Sequence, residues 1–144
     1  MIARTSKAVC YVVQQGHLLV FTHLDYPLTI TGVQVPAGTI EPGEQAAEAA
    51  VRELREETGL DGMVLRDLGT EIYDVRPTRQ QIATRHFFEL GVTEAPGLDQ
   101  RWIAGERDPN GGGAELRWEC WWMPLEHSQV LVAGLGARLG CLVG

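Results

Sequence analysis

Apolar and polar residues alternate in short runs over much of the chain, which is the pattern of β-strands with one buried face. Two such runs, at residues 7–14 and 17–22, flank the dipeptide Gln15-Gly16. A two-residue connection that ends in glycine is typical of a β-hairpin. The chain is therefore predicted to begin with a hairpin.

Further strands are predicted after this hairpin. A loop at residues 23–31 leads to a short strand at 32–36, in which valines alternate with a glutamine. A segment rich in Gly, Asp and Pro, residues 91–113, is predicted to be a long loop. Runs rich in β-branched and aromatic residues predict three more strands, at 63–75, 80–90 and 115–123.

Two stretches have the spacing of α-helices. Residues 44–58 are rich in Ala, Glu, Arg and Leu, and Gly59 follows where a helix commonly ends in a left-handed residue. The tail, residues 125–142, also has helical apolar spacing, although three glycines interrupt it, and predicts a terminal helix. Strands on both sides of a central helix, followed by a second helix, predict an α+β or α/β sandwich with helices packed on a mixed sheet.

Length and charge limit the possible functions. With 144 residues, 44% of them hydrophobic, the chain suffices for one packed core, so residues 1–144 are expected to form a single domain. A net charge of −7 without a run of Lys or Arg disfavours nucleic acid polymers as partners. Apolar runs are too short for a signal peptide or a membrane span, which predicts a cytoplasmic protein without a membrane partner. The expected assembly is a monomer or a homodimer.

Three acidic residues on the central helix are the first candidates for chemistry. Glu53, Glu56 and Glu57 occupy positions i, i+3 and i+4, which brings their carboxylates to one helix face with Cβ atoms about 5–6 Å apart. Taken alone, such a triplet is also common on solvated helix faces. A divalent cation would turn the repulsion into a binding site, and all-oxygen ligands favour Mg²⁺ or Mn²⁺ over zinc.

Two further residues fit the same site. Arg52 lies four residues from both Glu48 and Glu56, so it is able to pair with either acid and to hold the geometry of the cluster. Ahead of the helix, Gly38 allows the backbone to approach another group closely, and the carbonyl groups there are candidate metal ligands. We therefore expect a metal site between the helix and this glycine.

These residues belong to a longer pattern. Gly38 is followed after five residues by Glu44, and after seven more by the run Arg-Glu-Leu-Arg-Glu-Glu-Thr-Gly-Leu at residues 52–60. This spacing resembles the signature box of the Nudix hydrolases without a departure. The box is far more specific than the acidic triplet alone, and the strands before and after it suit the fold of that family.

The resemblance implies an α/β/α sandwich with a central mixed sheet, and a hydrolase that uses Mg²⁺, for which Mn²⁺ is a substitute. It implies that Glu53, Glu56 and Glu57 are metal ligands and that Glu53 or Glu56 is the general base. It also implies that Glu44 supports the site by pairing with Arg52. The implied substrate is a small nucleotide in which a nucleoside diphosphate is linked to another moiety. The implied reaction is hydrolysis of its phosphoanhydride bond.

Five residues outside the box are candidates for substrate binding. Arg76, Arg79 and Arg85 are able to clamp phosphate oxygens in bidentate fashion, although exposed arginines are more often solvated. Trp102 is a candidate for stacking on a base or a sugar, with packing as the alternative. Glu119 is a candidate distal metal ligand or base, with a solvated strand edge as the alternative.

More than one substrate class is compatible with the sequence outside the box. Residues 35–38, which lead into the box, and Pro77 beyond it are similar to features of ADP-ribose pyrophosphatases. A house-cleaning pyrophosphatase acting on modified nucleoside triphosphates suits the short chain equally well. A hypothesis of another class is a non-catalytic Nudix module that senses a nucleotide, and the intact box argues against it.

Overall fold

Seven β-strands dominate the computed structural model, which describes residues 1–106 and 116–142. The strands are β1 (Ala3–Gln14), β2 (His17–His23), β3 (Ala37–Thr39), β4 (Gly62–Asp74), β5 (Gln81–Val92), β6 (Trp102–Glu106) and β7 (Leu116–Pro124). The helices are α1 (Leu28–Thr31), α2 (Ala46–Thr58) and two 3-10 helices, Leu125–Val130 and Leu139–Leu142. No helix in these described ranges is long and apolar enough to cross a membrane.

The strands form one mixed sheet. Six of them follow the order β4-β5-β1-β2-β7-β6, and β3 pairs with β1 beside this path. The β1–β5 pair is parallel, whereas the other pairs are antiparallel. At the β1–β2 turn, Gln15 and Gly16 both have positive φ angles, 48° and 74°, as a tight hairpin turn requires. The predicted hairpin and mixed sheet are confirmed.

Both faces of the sheet are covered. Successive residues of a strand point to opposite faces, so Ala8 and Cys10 join the core cluster beneath α2, to which Leu54 also belongs. Val9 and Tyr11 join a second cluster on the other face, against the tail of the chain. This two-sided burial confirms the predicted sandwich.

Helix α2 begins and ends as the local sequence indicates. The backbone N–H of Gln45 donates to the Glu48 carboxylate at 3.2 Å, which satisfies a donor at the helix start. At the other end, Gly59 has φ 79° and donates its N–H to the carbonyl of Arg55 at 2.9 Å. The helix starts at Ala46, two residues later than predicted.

Two predictions before and after the helix were wrong. Residues 32–36 do not form a strand: Gln34 makes an isolated bridge to β2, and Val33 makes one to the tail. The segment therefore makes one bridge to the tail and one to β2, and it does not pair continuously with either. The predicted 91–113 loop contains β6, whose partly buried Trp102 packs against the core. Residues 107–113 of that predicted loop lie outside the described residues.

The predicted terminal helix was also wrong. Residues 125–142 form two 3-10 helices joined by turns. Ala133 and Gly134 have φ angles of 54° and 72°, which an α-helix does not accommodate. Leu135 is nevertheless buried, so the tail still covers the second face of the sheet without a regular helix.

Candidate functional site

A cleft of about 440 Å³ lies where α2 meets the strand β3. Its lining combines the box residues with side chains from β1 and β7: Lys7, Ala37, Gly38, Thr39, Glu41, Arg52, Glu53, Glu56, Glu57 and Trp118. Four of these residues are glutamates, and we call this space the acidic cleft.

Gly38 lies against a carboxylate of the helix. Strand β3 pairs with β1 so that Gly38 is opposite Ala8. A Cβ atom at residue 38 would lie 2.1 Å from the Cδ of Glu53, so a larger residue would displace that carboxylate. The glycine thus permits the close approach that its place in the box indicates.

Glu57 joins the end of α2 to two strands. Its Oε1 accepts a hydrogen bond of 2.8 Å from the backbone N–H of Ala37. Its backbone carbonyl accepts one of 2.5 Å from the indole N–H of Trp118. These contacts hold the last turn of the helix beside Gly38.

Arg52 connects the acidic side chains of the cleft. Its Nε and Nη2 donate to both carboxylate oxygens of Glu44, at 2.8 and 2.9 Å. Its Nη1 donates to Glu53 at 2.8 Å and to Glu56 at 3.2 Å. The carbonyl of Thr39 accepts a further bond of 2.9 Å. The implied pairing of Arg52 with Glu44 is therefore present.

The Arg52–Glu44 pair has a clear electrostatic effect. Hydrogen bonds from Arg52 lower the pKa of Glu44 to about 2, and the backbone N–H of Glu41 contributes to the same shift. The bond to Glu44 in turn raises the pKa of Arg52. Both groups therefore stay charged near neutral pH. Glu48, the other acid within reach of Arg52 by spacing, caps the helix start.

The two candidate bases differ in exposure. The side chain of Glu53 is 13% exposed, whereas that of Glu56 is 54% exposed. Glu53 lies between Arg52 and Gly38, and Glu56 lies towards solvent. A carboxylate held on two sides keeps its orientation better than one in open water.

The oxygen atoms available as metal ligands around Gly38 suit a divalent cation. In the part of the chain that the structure describes, no group of three acidic, histidine or cysteine side chains is already arranged to hold a metal ion. Arg52 holds Glu53 and Glu56, and a cation would compete with it for their oxygens. The available donors are carboxylates from one helix face and backbone carbonyls, an all-oxygen set that fits Mg²⁺ or Mn²⁺.

A second cavity, of about 580 Å³, adjoins the acidic cleft. Its lining comes from β1, the stretch from the end of α1 to β3, the β4–β5 turn, β5 and the tail: Lys7, Val9, Thr31, Gln34, Val35, Ala37, Gly38, Arg79, Arg85, Val132, Ala133 and Leu135. The residues common to both spaces are Lys7, Ala37 and Gly38. We call this second space the arginine-lined cavity.

Two of the predicted substrate arginines, Arg79 and Arg85, line this cavity. The Arg85 guanidinium lies 4.1 Å above the centre of the Tyr73 ring and donates a hydrogen bond to the carbonyl of Ala133. Burial lowers the pKa of Arg85. Its head group is thus held in place, although a substrate role stays a prediction.

The other three candidates are engaged elsewhere. Arg76 forms a salt bridge of 2.6 Å with the last residue of β4, and Glu119 forms one of 2.9 Å with Arg101. Trp102 donates its indole N–H to the carbonyl of Thr58 at 2.8 Å. None of the three is among the described residues that line the two cavities. Their substrate roles remain predictions.

Sequence reasoning missed Lys7, Thr39 and Glu41 as residues of the cleft, and it took core packing as the default for Trp118. Lys7 is the single lysine of the chain and donates to the Thr39 hydroxyl at 2.7 Å. The signal available for Lys7 was its position as a lone lysine at the start of a predicted buried strand. Trp118 had no comparable signal, because tryptophans in a predicted strand are typical of core packing.

Known proteins share this sequence and fold. A family model of the NUDIX domain matches residues 4–135. An RNA pyrophosphohydrolase of Brucella abortus (strain 2308) is 32% identical over 104 residues, which cover 64% of this chain and 54% of that relative. An ADP-ribose pyrophosphatase of Bacillus subtilis (strain 168) is 42% identical over 52 residues, 36% of this chain and 28% of that relative. The chain thus spans about half the length, or less, of these relatives.

A solved NUDIX hydrolase from Nitrosomonas europaea has the same fold, with a TM-score of 0.68 and 18% identity, over 96% of this chain and 86% of that one. The family model covers most of the chain, and Gly38, Arg52 and the three helix glutamates of the box line one cleft. Together these findings confirm the resemblance seen in the sequence, and the chain belongs to the Nudix family.

Proposed function

We propose that this chain is a Mg²⁺-dependent pyrophosphohydrolase. Its substrate is a nucleoside diphosphate linked to another moiety, such as ADP-ribose or a nucleotide sugar. The observation that carries the proposal is the contact between Gly38 and the Glu53 carboxylate, where a Cβ would lie only 2.1 Å from Cδ. This contact brings the Gly38 backbone against the Glu53 carboxylate, and carbonyl and carboxylate oxygens are the ligands that a divalent cation for hydrolysis would take.

Each residue of the acidic cleft has a role in this proposal. Glu53, Glu56 and Glu57 hold the cation together with the backbone at Gly38. When bound, the cation supplies charge neutralisation for the phosphate oxygens and activates water. Glu53 or Glu56 accepts the proton of the attacking water, a contribution of typically about 10²- to 10⁴-fold. Arg52 is a positioning residue, because it orients both candidate bases.

The two adjoining cavities support a substrate with two halves. The acidic cleft suits the anhydride, because its carboxylates provide the cation ligands. The arginine-lined cavity has the size of a small-molecule site and combines apolar walls, such as Val35 and Leu135, with the cations Arg79 and Arg85. We therefore assign the remainder of the nucleotide to this second space.

A second candidate function comes from the relatives. Those from Brucella are named RNA pyrophosphohydrolases, which favours a phosphoanhydride on RNA as an alternative substrate. The net charge of −7 weighs against a polyanionic partner, since the phosphate backbone would be repelled. The ADP-ribose pyrophosphatase of Bacillus subtilis supports the first candidate over the shorter matching stretch.

The test is a substrate screen with Mg²⁺. ADP-ribose and nucleotide sugars are incubated with the protein, and a phosphatase then releases phosphate from any monoester product. For nucleoside triphosphates, modified nucleotides and 5′-triphosphorylated RNA, released pyrophosphate is measured directly. Glu53→Gln is the control, and its kcat is expected to fall by at least about 10²-fold because the carboxylate charge is lost. Glu56→Gln, assayed alongside, distinguishes the two candidate bases.

The outcomes separate the candidates. AMP formed from ADP-ribose by the wild type supports the first function. Turnover of triphosphates or RNA alone would reject that substrate class in favour of nucleoside triphosphates or RNA. Nucleotide binding without any turnover would favour the sensor module. A Glu53→Gln variant with normal kcat would remove Glu53 from the mechanism.

A further inference from the structure

Two cations are direct neighbours on the sheet. In the parallel β1–β5 pair, Lys7 is the partner of Arg85, and on its other side Lys7 pairs with Thr39 of β3. Both cations line the arginine-lined cavity. Like charges directly opposite each other destabilise a sheet, so an arrangement of this kind favours a bound anion.

Among the described residues, the carboxylate directly opposite this pair is Glu71 of β4, the other partner of Arg85, and Glu71 forms its salt bridge with Arg138. Lys7 donates to the neutral hydroxyl of Thr39, and Arg85 contacts a carbonyl and the ring of Tyr73. Within residues 1–106 and 116–142, neither Lys7 nor Arg85 forms a salt bridge. The pair is a local concentration of positive charge in a chain whose net charge is −7.

Lys7 also lines the acidic cleft, alongside Gly38 and Glu53. It is the one charged residue among the described residues that line both spaces. An anion bound by Lys7 would therefore lie next to the carboxylates, at the boundary between the two cavities.

We infer that Lys7, with Arg85 beside it, binds the second phosphate of the substrate diphosphate, the one farther from the cation site of the box glutamates. The inference rests on the proposed function for the identity of the ligand. An ammonium and a guanidinium side by side donate charge-assisted hydrogen bonds to phosphate oxygens. The anhydride bond then spans the boundary formed by Ala37 and Gly38, and the site selects ligands with two adjacent phosphates.

The single lysine permits a direct test. Reductive methylation with ¹³C-formaldehyde labels only the Lys7 amine and the amino terminus, and dimethylation keeps the positive charge. The Lys7→Arg variant lacks the side-chain signal and so assigns it. The probe is α,β-methylene-ADP with Mg²⁺, because its bridging carbon resists hydrolysis, and adenosine is the control without phosphate.

We expect the Lys7 methyl resonance to shift with α,β-methylene-ADP and to stay in place with adenosine. In calorimetry, Lys7→Gln should weaken binding of the analogue about tenfold, the cost of one hydrogen bond to a charged group. Lys7→Arg should retain most of the affinity. Arg4→Gln is the matched control, since Arg4 is an exposed cation on the same strand and its loss should leave binding unchanged.

A Lys7 resonance that stays unchanged while the analogue saturates the protein overturns the inference, and so does an analogue that does not bind. The result is independent of the hydrolysis screen. A Lys7 shift without turnover would support the phosphate site and reject the proposed hydrolysis. Turnover with an unchanged Lys7 resonance would support the proposed hydrolysis and reject the phosphate site.

Discussion

The acidic cleft and the arginine-lined cavity share a boundary but are assembled differently. Most charged groups of the cleft come from one stretch of chain, residues 41–57. The cavity takes its lining from segments as distant as β1, β5 and the tail. A short motif is thus able to encode the chemistry, whereas long-range packing builds the space beside it.

The contacts inside the two regions differ in the same way. In the cleft, Arg52 contacts side chains that are at most eight residues away from it on the chain, together with the Thr39 carbonyl. In the cavity, Arg85 is held by Tyr73 of a neighbouring strand and by Ala133, 48 residues away. We expect changes in the cleft to affect turnover and changes in the cavity to affect affinity.

After the loss of a candidate base such as Glu53, the largest expected effect is that of Gly38→Ala. The added methyl would lie 2.1 Å from the Cδ of Glu53 and would displace that carboxylate. A misplacement of about 1 Å costs about 10²-fold, so we expect kcat to fall by that factor with little change in KM. Steady-state kinetics measures this fall, and circular dichroism checks the fold.

Gly140→Ala is the matched control for this change. A Cβ at residue 140 meets no atom within 4 Å, so kcat should be unchanged. A Gly38→Ala variant with wild-type kcat would show that the close approach has no part in turnover, and the contrast between the two regions would lose its main support.

Glu57→Gln should have an intermediate effect, on metal affinity. The amide oxygen keeps an acceptor for the Ala37 N–H, so the fold should persist, but the charge is lost. We expect the Mg²⁺ concentration for half-maximal activity to rise at least about tenfold. Mn²⁺ binding, followed by electron paramagnetic resonance, measures the same loss without turnover.

Glu48→Gln serves as the comparison for Glu57→Gln. Glu48 lies on the same helix and caps its start, so this change should leave the metal requirement as in the wild type. Equal Mg²⁺ requirements for the Glu57 variant and the wild type would mean that Glu57 is not a ligand.

The smallest expected effect is that of Arg85→Gln, which concerns the cavity alone. The loss of one cation should raise KM about threefold to tenfold and leave kcat nearly constant. Arg66→Gln is the control, because Arg66 pairs with Glu89 on another part of the sheet. A fall in kcat equal to the change in kcat/KM would place Arg85 in the transition state and remove the distinction between the two regions.

Local sequence signals correctly predicted the elements whose conformation depends on residues adjacent in the chain. The hairpin turn at Gln15-Gly16 and the end of α2 at Gly59 both require left-handed backbone, and both were found. Strand β6 was missed because its segment has a turn-like composition, and pairing with β7 together with burial of Trp102 overrides that composition. The tail failed as a helix because its apolar spacing is helical but its backbone is broken at Ala133 and Gly134.

The sequence by itself determined the box, its glutamates on one face of α2 and the acidic character of the cleft. Residues three and four apart on a helix are neighbours whatever surrounds them, so this part of the site follows from spacing alone. Only the tertiary structure decided that Lys7 lies beside Arg85 and at the edge of both cavities. Strand order and register depend on contacts between distant segments, and no local pattern encodes them.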